Sequence, residues 1–89
     1  MEAVTVADAI YALAESAAGR TPERSRLLAG ALALDTIRLR GGASQDVLDA
    51  AAGLDLMATG GELDLDERGR IRAAHLADAV AMLSNEEGR

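Results

Sequence analysis

The apolar residues of this chain include few large side chains, and this feature constrains its fold most. Alanine is the commonest of them, with 20 residues among 89, whereas Phe, Trp and Cys are absent and Tyr occurs once. Alanine is the strongest helix former and lets helix axes approach closely, but it buries little surface. A chain of this length buries only about 60–65% of its unfolded surface. We therefore expect a single helical domain over residues 1–89, with a thin core that a partner would help to cover.

The composition also excludes several kinds of site. Without Cys and with a single His, the chain has no disulfide, no thiolate metal site, no two-His metal site and no cysteine nucleophile, so we expect neither an enzyme nor a cofactor. The net charge is −6, which makes nucleic acid and anionic membranes poor partners. No apolar run reaches the roughly 18 residues of a membrane span, and no signal peptide is visible, so we expect a cytoplasmic protein.

Cap residues, one proline and several glycines mark out about four helices, which makes the expected fold class all-α. The expected spans are residues 5–18, 21–40, 44–58 and 73–84, with residues 85–89 frayed. The strongest start is Thr21-Pro22-Glu23, which combines an N-cap, a proline at the first helical position and an acid in the first turn.

The segment between the third and fourth helices is ambiguous. Leu63 and Leu65 alternate with acids, and residues 67–69 resemble a turn, so residues 62–72 fit a minimal β-hairpin. An acidic, solvated loop and the start of the last helix are the alternatives.

The same segment resembles the beginning of an EF-hand calcium loop, with acids at positions 1 and 3, glycine at position 6 and an aliphatic residue at position 8. Calcium takes six to eight oxygen ligands, which in this loop include those at positions 5 and 12. Here Arg68 and His75 occupy these positions, and Arg68 would place a positive charge among the ligands. We therefore expect no calcium binding.

Residues 37–40 (Ile-Arg-Leu-Arg), 44–48 (Ser-Gln-Asp-Val-Leu) and 52–54 (Ala-Gly-Leu) resemble the opening of a repressor-type helix-turn-helix domain. The resemblance implies a turn at Gly53, followed by a helix in the DNA major groove. Residues 55–62, however, contain two acids and no Arg, Asn or Gln that would contact base edges. The resemblance thus implies a regulator in which DNA binding is weak or lost.

The second helix carries the main indication of a binding surface. Residues 29–34 are uncharged on every side, and a helix that is apolar all round is buried all round. In so short a chain this predicts either a central helix or one that a second chain covers, with Gly30 and its neighbouring alanines allowing close approach. The candidate interface residues are Tyr11, Leu28, Leu32, Ala33, Asp35 and Leu39, with Ala33 expected near solvent in the lone chain.

Two of these candidates have structural alternatives. Asp35 forms either an ordinary pair with Arg38 or a polar contact that sets the register of an interface. Tyr11 is either a binding hot spot or core filling. We expect a non-enzymatic protein-interaction module that binds a protein partner or a second copy of itself. The alternative is the degenerate helix-turn-helix regulator.

Overall fold

The computed structural model describes residues 6–61 and 66–87, and for residues 84–87 it describes the backbone alone. This part of the chain contains four helices and no strand, as the expected all-α bundle requires. The helices are α1 (Ala7–Ala17), α2 (Arg24–Arg40), α3 (Gln45–Ala58) and α4 (Glu67–Glu87).

The helices are arranged as a ring in chain order. α1 packs against α4 on one side and α2 on the other, and α3 closes the ring by packing against α2 and α4. α1 also touches α3 across the centre, whereas α2 and α4 lie apart. None of the described helices combines the length and the apolar character that crossing a bilayer requires.

The core is built from buried Leu, Ile and Val side chains of all four helices. Leu13, Leu34, Leu54 and Val80 are almost completely buried, and each contributes roughly 1.5–3 kcal/mol to folding. Alanines fill the space between them. The fully buried alanines are Ala9, Ala12, Ala50 and Ala51.

Gly30 and Ala33 serve the fold of the single chain. A Cβ atom added to Gly30 would lie 2.7 Å from the Cα and N atoms of Ala9, because α1 crosses α2 at this point. Ala33 is only 1% exposed. The expectation that Ala33 lies near solvent is wrong, since α1 already occupies the small-residue side of α2 that had been assigned to a second chain.

The start of α3 agrees with the start predicted from the sequence, because the residue that caps this helix directly precedes it. Ser44 caps α3, its Oγ atom accepting a hydrogen bond from the Val47 backbone N–H at 3.3 Å. α2, in contrast, begins at Arg24 and not near Pro22. The Glu23 backbone N–H donates to the Tyr11 hydroxyl at 2.8 Å, and this contact with α1 holds Glu23 in an extended conformation.

α4 begins earlier and ends later than expected. Asp66 caps it, because its Oδ1 atom accepts a hydrogen bond from the Gly69 backbone N–H at 2.8 Å. Residues 67–72 are helical, so the hairpin has no second strand and that expectation is wrong; Leu63 and Leu65 lie outside the described residues. The helix ends at Glu87, three residues beyond the expected end at residue 84.

Candidate functional site

Three leucines project from the side of α2 that faces away from the core. Leu28, Leu32 and Leu39 are 44%, 66% and 77% exposed, whereas Ala31 and Leu34 of the same helix are buried. At about 100° per residue, the three leucines fall within about 40° of the helix circumference. α2 is therefore not buried all round, and its exposed side is apolar.

α3 carries a second apolar stripe that the sequence analysis did not identify. Leu48, Ala52 and Leu56 recur at every fourth residue and so lie along one side of the helix. Ala52 and Leu56 are exposed and Leu48 is half-buried. Spacing of this kind fits a stripe that faces the core equally well, so only the packing of α3 identifies it as an outer surface.

Contacts join α2 and α3 at two positions. The helices are antiparallel, and Arg24 Nη2 near the start of α2 donates to the carbonyl oxygen of Ala58 at the end of α3, at 2.9 Å. Further along, Asp35 lies close enough to Asp55 for its negative charge to raise the pKa of the Asp55 carboxyl.

Each of the two apolar stripes lies on the side of its helix that points away from the buried core residues. α1 and α4 pack on the opposite side of the α2–α3 hairpin. These six side chains therefore share one surface, which we call the outer α2–α3 face.

A pair of acids lies along the seam between the two stripes. Burial raises the pKa of the Asp55 carboxyl, and the hydrogen bond and negative charge of Asp35 raise it further, while the nearby Arg38 guanidinium opposes the shift. Arg38 Nε lies 3.6 Å from Asp35 Oδ1, an atom that is itself buried without a hydrogen bond. The expected pairing of Asp35 with Arg38 is present, and Asp55 is the partner that sequence spacing did not reveal.

Tyr11 lies apart from this face, at the junction of α1 and α2. Its ring is half-buried against the core, and the Arg26 guanidinium lies 3.7 Å from the ring centroid. The same Arg26 pairs with Asp8 through Nε at 2.9 Å, and the Tyr11 hydroxyl accepts the Glu23 N–H. The structure thus brings together Leu28, Leu32, Leu39 and Asp35 of the candidate interface, but not Tyr11 or Ala33.

A separate network of polar side chains joins α3 to α4. Arg72 contacts Asp49 at 2.7 Å and Asp46 at 3.4 Å, His75 Nε2 lies 3.0 Å from Asp46 Oδ2, and Gln45 donates to Asp49 at 2.9 Å. These groups are substantially exposed, so each pair stabilises the packing by about 0–1 kcal/mol. Among the described residues, no group of three or more His, Cys, Asp or Glu is arranged to hold a metal ion.

The two motif resemblances do not correspond to the local structure. α3 runs without interruption through Gly53, so the turn of a helix-turn-helix domain is not formed there. Glu67 to His75 are part of α4, so this part of the EF-hand-like segment is a helix and not a calcium loop; Asp64 lies outside the described residues.

Comparisons of the chain with protein-family models, with curated proteins and with solved structures found no match.

Proposed function

We propose that this chain is a non-enzymatic protein-interaction module, such as an adaptor, a regulatory subunit or an antitoxin-like partner, that binds through the outer α2–α3 face. The observation that carries the proposal is the exposure of Leu28, Leu32 and Leu39 on one side of a well-formed helix.

The unfavourable free energy of exposing apolar side chains to water favours a binding role for this face. Single exposed apolar side chains are common on protein surfaces, but a contiguous apolar patch is a frequent mark of an interaction site. A fully buried leucine contributes roughly 1.5–3 kcal/mol, so covering the exposed parts of the three α2 leucines gains on the order of 1 kcal/mol each. A partner would therefore supply part of the burial that the alanine-rich core lacks.

The alternative, a helix-turn-helix regulator, receives no support from the geometry. Its recognition helix would follow a turn at Gly53, where α3 is continuous. The three charged residues of α3 are all aspartates, which would face DNA phosphates with the wrong sign.

A charge placed within the face tests the proposal. Leu32→Glu changes a residue that is 66% exposed, so the variant retains its core. Ile71→Glu is the matched control, because Ile71 is 64% exposed on α4, outside the face. Wild-type and variant chains are immobilised and exposed to lysate of the source cells, and the proteins retained, including the chain itself, are identified by mass spectrometry.

The proposal expects at least one protein that wild type and Ile71→Glu retain and Leu32→Glu loses. It is overturned if Leu32→Glu retains the same proteins as wild type, if only Ile71→Glu loses them, or if wild type retains none.

A further inference from the structure

We draw no further inference here: the strongest candidate, the outer α2–α3 face with the exposed leucines of α2, carries nothing beyond the proposed function, because nothing in the structure shows what covers it.

Discussion

Gly30→Ala tests whether the side of α2 that carries small residues packs against α1 or is open to a second chain. An added methyl group would lie 2.7 Å from the Cα and N atoms of Ala9 and 2.9 Å from the backbone carbon of Asp8, whereas ordinary contacts are 3.4–4 Å. These atoms belong to the α1 backbone and cannot rotate away, so the two helices must separate locally by about 1 Å. Overpacking of this kind typically costs about 1–3 kcal/mol.

Helix propensity acts in the opposite direction. Alanine is favoured over glycine within a helix by about 1 kcal/mol, so the net expectation for Gly30→Ala is a loss of up to about 2 kcal/mol. If Gly30 were exposed in the isolated chain and contacted only a second chain, the same substitution would stabilise the isolated chain by about 1 kcal/mol. The sign of the change therefore distinguishes the two interpretations.

Urea unfolding followed by far-UV circular dichroism measures this change, at a concentration at which light scattering shows a monomer. Ala29→Gly is the matched control, because Ala29 is exposed on the same helix and reports the propensity difference without a clash. A free energy of unfolding that rises by about 1 kcal/mol in Gly30→Ala, as helix propensity alone predicts, would refute the close crossing of α1 and α2.

Three further substitutions test other parts of the structure. Ala33→Glu would bury a charge at a position that is 1% exposed, so we expect a loss of about 3 kcal/mol or more; a melting temperature equal to that of wild type would contradict the placement of α2. Tyr11→Phe removes the acceptor of the Glu23 N–H and should lower the unfolding free energy by about 0.5–1.5 kcal/mol in urea titrations. The pKa of Asp55 is raised in the folded chain, so its protonated carboxyl stabilises the fold fully at pH values below the unfolded-state pKa of this group. That contribution is lost as the pH rises through the folded-state pKa of Asp55. Asp55→Asn should therefore flatten this decline and raise the urea midpoint at pH 7, since an amide can donate permanently to Asp35; a midpoint that declines as steeply as in wild type would show that Asp55 does not titrate in this way.

Half of the candidate site was predictable from the sequence. The uncharged stretch around Leu32 indicated that α2 carries apolar residues on more sides than one small core can cover. Which side stays exposed depends on where α1 crosses, and this crossing at Gly30 buried Ala33 while leaving Leu28 and Leu39 outside.

The α3 half of the face could not be predicted in the same way. Leu48, Ala52 and Leu56 form a stripe whether they face the core or the solvent, because helical periodicity records that residues share a side and not what that side contacts. The pairing of Asp35 with Asp55 is likewise a contact between helices, for which no spacing along the chain provides a signal.

The sequence by itself determined the features that depend on a few neighbouring residues. Ser44 accepts a hydrogen bond three residues ahead, and Gly41 and Gly60 follow helix ends with positive φ values of 83° and 93°. The number and approximate position of the helices follow from such local signals. The tertiary structure alone decided the start of α2, which the Tyr11 hydroxyl displaces to Arg24, and the surface on which the remaining leucines lie. These features differ because a cap or a helix-ending glycine satisfies backbone groups within one turn, whereas a crossing point or a shared face exists only after helices that are distant in sequence have packed together.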